Sequence, residues 1–139
     1  MVDNRGEKTR IAWLDKLQQY KHDKIKPADD QIWSPSLETI SRDEIVSIQN
    51  DKLKTVTPFL YENSKFYRER FDKLNLLPTD IQTIEDLIKW PVVDKKEMME
   101  DVEANPPYGT YSTMDEDLWN ERGWMLFSSS GSSGIPRVF

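Results

Sequence analysis

The sequence predicts a mainly α-helical chain that ends in a short β strand–loop–strand unit. Three observations support this prediction: apolar residues recur at three- to four-residue spacing, capping sequences precede several of these stretches, and a short apolar run stands near the end. Of the 139 residues, 37% are hydrophobic and 32% are charged, and the mean hydropathy is -0.74. This composition is typical of a folded chain whose helices expose wide polar faces.

The first predicted helix covers residues 5–22. Its apolar residues are expected on one side that packs inward; they are Ile11, Trp13, Leu14 and Leu17. Residues 24–36 contain two prolines and an acidic pair, which predict an extended connection.

The longest predicted helix begins at Ser41, because Ser41 and Glu44 have the spacing of a capping box. Six apolar residues then form one helical face; they are Ile45, Ile48, Leu53, Val56, Phe59 and Leu60. Pro58 is expected to kink the final turns, since proline cannot donate the backbone hydrogen bond.

Shorter helices are predicted to follow. Asn63 or Ser64 would cap one that carries Phe66, Tyr67, Phe71 and Leu74, and Thr83 would cap another that carries Ile84, Leu87 and Ile88. Asp94, with Glu97 three residues later, would cap a helix over residues 95–102, which the Asn-Pro-Pro sequence at 105–107 would end.

The wholly apolar run at residues 124–127 predicts a buried strand, and residues 138–139 would open the next one. The loop between them is rich in serine and glycine, so its backbone N–H groups, its hydroxyls and a nearby arginine could cradle phosphate. The candidate ligands are Ser129, Ser130, Gly131, Ser132, Ser133, Gly134 and Arg137. The glycine spacing fits neither the P-loop nor the dinucleotide-binding fingerprint.

The charge and cysteine content restrict the partners. A net charge of -6 disfavours binding to nucleic acid or to an anionic membrane, so a polyphosphate would need local N–H groups, a basic side chain and a divalent cation such as Mg²⁺. The absence of cysteine excludes disulfides and thiolate sites. No signal peptide or membrane span is evident, and a cytoplasmic location is expected.

Other candidate sites are weaker. His22 is the single histidine and is expected to be solvated, and Asp115, Glu116 and Asp117 are expected to form an exposed acidic turn. The aromatic residues of the Phe66–Arg68 cluster could stack on a ligand ring. We expect instead that they pack in the core, with the arginine at the edge of that core. Met98 and Met99 are expected to fill space in the core.

The run Ser129-Ser130-Gly131-Ser132-Ser133-Gly134-Ile135-Pro136-Arg137 resembles the Ser-Ser-Gly-Thr-Thr-Gly-x-Pro-Lys loop of the adenylate-forming acyl-CoA synthetase superfamily. Upstream sequences narrow the resemblance to the N-terminal region of the phenylacetate-CoA ligases over residues 33–139; they include Ser41-Arg42-Asp43-Glu44, Phe66-Tyr67-Arg68, Leu77-Pro78, Glu85-Asp86-Leu87 and Pro107-Tyr108-Gly109. Serines replace the usual threonines at 132 and 133, which keeps the hydroxyls. Ile135 stands where the family often has lysine, so Arg137 is the remaining phosphate-contacting cation.

The resemblance implies the N-terminal part of a larger α/β adenylate-forming domain at 33–139, truncated after the loop, with residues 1–32 as a helical extension and linker. It also implies that an aromatic carboxylic acid similar to phenylacetate reacts with ATP in the presence of Mg²⁺. The product is an acyl-adenylate, whose acyl group is then transferred to coenzyme A. The loop would grip the β- and γ-phosphates. The catalytic residues of this family lie beyond the loop, so none is assigned in this chain, and the chain alone is expected to be inactive.

Two alternatives remain open from the sequence. One is a small helical interaction module with a flexible Ser/Gly tail, in which the apolar face at Ile45–Leu60 contacts a partner. The other is an adenylating enzyme that passes its acyl group to a carrier or an amine instead of coenzyme A.

Overall fold

A computed structural model describes residues 4–21, residues 34–114 and Phe127. Five α-helices and two 3₁₀ helices lie within these ranges, and no strand does. The α-helices are α1 (Arg5–Gln19), α2 (Pro35–Glu38), α3 (Arg42–Asn63), α4 (Lys65–Lys73) and α5 (Lys95–Ala104); the 3₁₀ helices are Pro78–Asp80 and Ile84–Lys89. The mainly helical prediction is therefore confirmed for the described residues, whereas the domain boundary predicted at residues 32 and 33 lies outside them.

Helix α3 is the central element, against which α1, α4 and both 3₁₀ helices pack. It starts as the capping box predicts: the amide of Glu44 donates to Ser41 Oγ at 3.2 Å, and the amide of Ser41 donates to the Glu44 carboxylate at 2.9 Å. Pro58 lies inside the helix, which continues to Asn63. The six apolar residues predicted to share a face are all buried or half-buried.

The prediction for the inward side of α1 is wrong for three residues. The side chains of Ile11, Leu14 and Leu17 are exposed, whereas Trp13 stacks on Phe59 of α3 with the ring centroids 6.5 Å apart. Polar side chains from other sides of the helix face α3 instead, because α3 supplies hydrogen-bond partners for them.

One such contact joins the C-terminal half of α1 to the middle of α3. Lys16 Nζ and the hydroxyl of Tyr20 each donate to Asp51 Oδ2 at 2.7 Å. The hydrogen bond from Lys16, and then the one from Tyr20, lowers the pKa of the Asp51 carboxyl. The same carboxylate raises the pKa of the Tyr20 hydroxyl. Helix α1 is thus attached to α3 by charged groups as well as by Trp13.

The short helices follow the predicted start residues with three differences. Ser64 caps α4, and Asp94 caps α5 through the amide of Glu97 at 2.8 Å, but α5 continues to Ala104, beyond the predicted end. The segment after Thr83 is a 3₁₀ helix, held by the Asp86 carboxylate rather than by the threonine hydroxyl. Helix α2 begins at Pro35, within the predicted extended connection, because proline suits the first position of a helix.

The core described by the structure is small and largely aromatic. Phe71 and Ile81 are fully buried, and Phe66 and Phe59 retain only 3% and 7% exposure. The ring of Phe71 meets Trp90 edge to face at a centroid distance of 5.1 Å and Tyr61 at 6.0 Å. These contacts connect α3, α4 and the end of the second 3₁₀ helix.

Replacing Thr57 with valine is expected to raise the free energy of unfolding by about 0.5–1 kcal/mol. Thr57 is fully buried in α3, and among the described residues its hydroxyl oxygen is a buried side-chain atom with no hydrogen-bond partner. Valine keeps the branched shape and removes the unsatisfied group. Urea titration of the purified variant measures the change.

The control for this substitution is Thr55→Val, two residues away in the same helix. The hydroxyl of Thr55 donates to the Asp51 carbonyl at 3.1 Å, so its removal is expected to be neutral or destabilising. Equal effects at the two positions would contradict the explanation from the unsatisfied hydroxyl.

Candidate functional site

The predicted phosphate loop lies outside the described residues. This applies to Ser129, Ser130, Gly131, Ser132, Ser133, Gly134 and Arg137. His22 and the acidic residues 115–117 lie outside them as well. Phe127, predicted to end a buried strand, belongs to no helix or strand and is 60% exposed, so burial at this residue was wrongly predicted.

The structure instead describes how residues 110–114, which lead toward this loop, are fixed to the helices; we call them the docked segment. The turn that precedes it has Gly109 at a φ of 73°, a conformation that favours glycine. A Cβ atom at this position would meet the Asp101 carboxylate and lie 3.1 Å from the ring of Tyr111. The turn therefore requires glycine for both its backbone angle and its surroundings.

Asp101 of α5 holds the start of the docked segment. Its carboxylate accepts hydrogen bonds from the amide of Thr110 at 2.6 Å and from the Thr110 hydroxyl at 2.7 Å. The side-chain amide of Asn105 also donates to this carboxylate, at 3.2 Å. Such charge-assisted bonds to a backbone amide fix the path of a loop.

Ser64, at the junction of α3 and α4, holds the other side of the segment. Its buried hydroxyl lies 3.1 Å from the carbonyl oxygens of both Thr110 and Tyr111, and it accepts from the amide of Tyr67 at 3.4 Å. The amide of Phe66 donates to the Thr110 carbonyl at 3.2 Å. The cap of α4 is thus also the anchor of the docked segment.

Arg10 of α1 contacts the end of the docked segment. Its Nη2 donates to the Thr113 carbonyl at 2.7 Å and to Asn63 Oδ1 at 2.9 Å, and the guanidinium lies 5.6 Å from the centroid of the Phe59 ring. The Asn63 side chain in turn donates to the Gly6 carbonyl at 3.1 Å. Arg10 is only 7% exposed, and these partners satisfy its buried charge.

The Phe66–Arg68 cluster has the packing role that was expected of it. Phe66 is buried and meets Tyr67 edge to face at 5.4 Å. Arg68 donates to the carbonyls of Tyr61 at 2.8 Å and Glu62 at 2.7 Å, near the C-terminus of α3. The two methionines at 98–99 are half-buried.

These contacts position the chain but do not by themselves form a reaction centre. In the described ranges, no group of three or more His, Cys, Asp or Glu residues could hold a metal ion. None of the helices in these ranges is long and apolar enough to cross a membrane. The chemistry must therefore be inferred from similarity to known proteins and from the loop sequence.

No protein-family model matches the chain. Individual proteins do: the phenylacetate-coenzyme A ligase of Escherichia coli K12 is 32% identical over 102 residues, which make up 73% of this chain and 21% of the ligase. The ligase of Pseudomonas putida is 32% identical over 111 residues, or 80% of this chain and 23% of that protein. The chain is a relative of the phenylacetate-CoA ligases. It spans about a fifth of the length of those ligases.

Solved structures of another CoA ligase agree with this relationship. A 2-hydroxyisobutyryl-CoA ligase in complex with 2-HIB-AMP superposes with a TM-score of 0.72 at 26% identity, over 92% of this chain and 26% of that one. The same enzyme in complex with 2-HIB-AMP and CoA superposes with a TM-score of 0.70 at 28% identity. This relative of the phenylacetate-CoA ligases is therefore similar in both sequence and fold to part of an adenylate-forming enzyme.

The sequence did not indicate Arg10, Asn63, Asp101 or Thr110 as residues that hold the docked segment. Arginine side chains are rarely fully buried, so the sequence predicts an exposed side chain for Arg10. A weak signal was present at Gly109, because a glycine just after Pro-Pro-Tyr suggests a turn with unusual backbone angles. The signal gives no indication of which carboxylate faces that turn.

Proposed function

We propose that this chain is the N-terminal portion of an ATP-dependent acyl-CoA ligase. The proposed substrate is an aromatic carboxylic acid similar to phenylacetate. The observation that carries the proposal is the 32% identity to phenylacetate-coenzyme A ligase over 73% of this chain. The superposition on a CoA ligase in complex with an acyl-adenylate and CoA supports the same reaction class and favours coenzyme A over a carrier or an amine as the acceptor.

The proposed reaction has two steps. A carboxylate oxygen of the acid attacks the α-phosphorus of ATP, and the bond to the bridging oxygen breaks, which releases pyrophosphate. The thiol sulfur of coenzyme A, losing its proton, then attacks the acyl carbon and displaces AMP. Enzymes accelerate such steps by placing fixed donors where negative charge develops.

The loop residues of this chain have the proposed role of gripping the β- and γ-phosphates. Ser129, Ser130, Ser132 and Ser133 would donate hydroxyl hydrogen bonds, Gly131 and Gly134 would expose backbone amides, and Arg137 would supply the forked cation. Magnesium is proposed to accompany the phosphates, and no residue of the described part is assigned to it.

We propose further that residues 33–139 are the first part of an adenylate-forming domain and that residues 1–32 are a helical extension. The enzyme is proposed to be cytoplasmic. Because no catalytic residue is assigned within these 139 residues, the chain alone is expected to form no acyl-adenylate.

The structure disfavours the interaction-module alternative. Its partner surface was the apolar face of α3, yet Phe59 on that face is buried and stacks on Trp13 of α1. The other apolar residues of the face are half-buried within the same chain. This surface is not available as a wide docking face.

A chimeric ligase tests the proposed function. In it, residues 33–139 of this chain replace the aligned stretch of the Escherichia coli phenylacetate-CoA ligase. We expect phenylacetate-dependent exchange of pyrophosphate into ATP, and we expect Arg137→Ala to lower kcat/KM for ATP about 100-fold, since one charged phosphate donor is removed. The 139-residue chain alone should show no exchange.

The matched control is Lys96→Ala, because the Lys96 side chain is 81% exposed on α5. Its exchange rate should equal that of the unmodified chimera. A chimera that melts cooperatively but shows no exchange would contradict the proposed function. An active chimera in which Arg137→Ala matches the control would contradict only the role of the loop.

A further inference from the structure

Helix α1 and the docked segment are fixed to neighbouring residues at the end of α3. Asn63 is the last residue of α3, and its side-chain amide donates to the Gly6 carbonyl and to Thr9 Oγ1 of α1, each at 3.1 Å. Ser64 is the next residue, and its hydroxyl lies 3.1 Å from two carbonyl oxygens of the docked segment. One junction therefore holds both parts of the chain.

Helix α1 approaches this junction closely at Gly6. A Cβ atom on Gly6 would lie 3.2 Å from Asn63 Oδ1, which is tighter than an ordinary packing contact. Arg10 follows about one helical turn later, and its Nη2 donates to Asn63 Oδ1 and to the Thr113 carbonyl. Arg10 is thus a direct link between α1 and the docked segment.

The burial of Arg10 makes this link costly to break from either side. If the docked segment left, the nearly buried guanidinium would lose the Thr113 carbonyl as an acceptor. If α1 left, the same carbonyl would lose its charged donor. A buried polar group without its partner raises the free energy of the structure, so each docked part favours the docking of the other.

We propose that α1 is a clasp for the docked segment, so that the two parts dock and undock together. A coupling free energy between two sites acts in both directions. Loosening α1 would therefore release the docked segment, and loosening the docked segment would release α1. The position of α1 would then decide whether the chain that leads toward the proposed phosphate loop is fixed. The coupling itself does not rest on the proposed enzymatic function.

Amide hydrogen exchange in the 139-residue chain tests the effect of α1 on the docked segment. The reporter is the amide of Thr110, which donates to the Asp101 carboxylate. The reference is the amide of Ile84, which donates to Asn50 Oδ1 at 2.8 Å in another part of α3. We expect Arg10→Met to accelerate exchange at Thr110 at least 10-fold more than at Ile84, because local release exposes only the reporter.

The matched control is Lys8→Met, an exposed position of the same helix, which should leave both exchange rates unchanged. Arg10→Lys keeps the positive charge but not the forked donor geometry, so it should give a smaller increase at Thr110 than Arg10→Met does. Equal acceleration at Thr110 and Ile84 in the Arg10 variants would overturn the proposal, since it would mean that Arg10 only stabilises the whole chain.

The reverse direction is tested from α5. Asp101→Ala removes the carboxylate that holds the start of the docked segment, and it leaves the residues of α1 unaltered. We expect the amides at the middle of α1, residues 12–14, to exchange at least 3-fold faster relative to Ile84. Glu103→Ala, at an exposed position of the same helix, should have no such effect. Unchanged exchange in α1 after Asp101→Ala would overturn the proposal, even if the Arg10 variants failed to fold.

Discussion

Phe71→Ala is expected to lower the free energy of unfolding by about 3–5 kcal/mol. Phe71 is fully buried, and its ring lies edge to face against Trp90 and Tyr61. Alanine would remove the contacts that join α4 to α3 and to the end of the second 3₁₀ helix, and the surrounding rings could fill the cavity only in part. Urea unfolding followed by tryptophan fluorescence measures the loss, since Trp90 lies beside the cavity.

Leu74→Ala is the matched control, because Leu74 follows α4 immediately and is 51% exposed. Its cost should stay below about 1 kcal/mol. Comparable losses for the two variants would mean that Phe71 does not lie at the centre of the described core.

Arg10→Met is expected to lower the free energy of unfolding by about 2–3 kcal/mol. Methionine keeps much of the apolar stem, but it leaves the Thr113 carbonyl and Asn63 Oδ1 without the guanidinium donor and removes the cation from the Phe59 ring. Thermal and urea unfolding of the 139-residue chain give the change in stability.

Lys8→Met is the control for this substitution, since Lys8 is an exposed residue of the same helix. It should change stability by less than about 0.5 kcal/mol. If Arg10→Met proved as mild as Lys8→Met, the contact between α1 and the docked segment would not contribute to folding.

The sequence predicted best where a local rule decides the structure. The cap formed by Ser41 and Glu44, and that formed by Asp94 and Glu97, depend only on residues three positions apart, and both are present. Proline had two outcomes: Pro35 opens a short helix, and Pro58 lies inside a long one. Tertiary packing determines whether a helix starts at a proline or continues through it, so the presence of proline alone does not predict where a helix begins or ends.

The orientation of α1 was mispredicted for a physical reason. The apolar pattern favours burial of Leu14, but Arg10 gains part-buried hydrogen bonds, and Lys16 gains an ion pair, to groups distant in sequence. A helical pattern cannot show that Asn63 and Asp51 will face this helix. The candidate loop was predicted from composition and resemblance alone, and it stays a prediction.

The anchoring of the docked segment also limits how far the loop can reach. Because Asp101, Ser64 and Arg10 hold residues 110–113 against the helices, Met114 is a fixed point of attachment and not a position along a flexible tether. Residues 115–128 are all that separate it from Ser129. Even a fully extended chain would cover only about 50 Å over this stretch, so the proposed phosphate loop must begin within that radius of Met114.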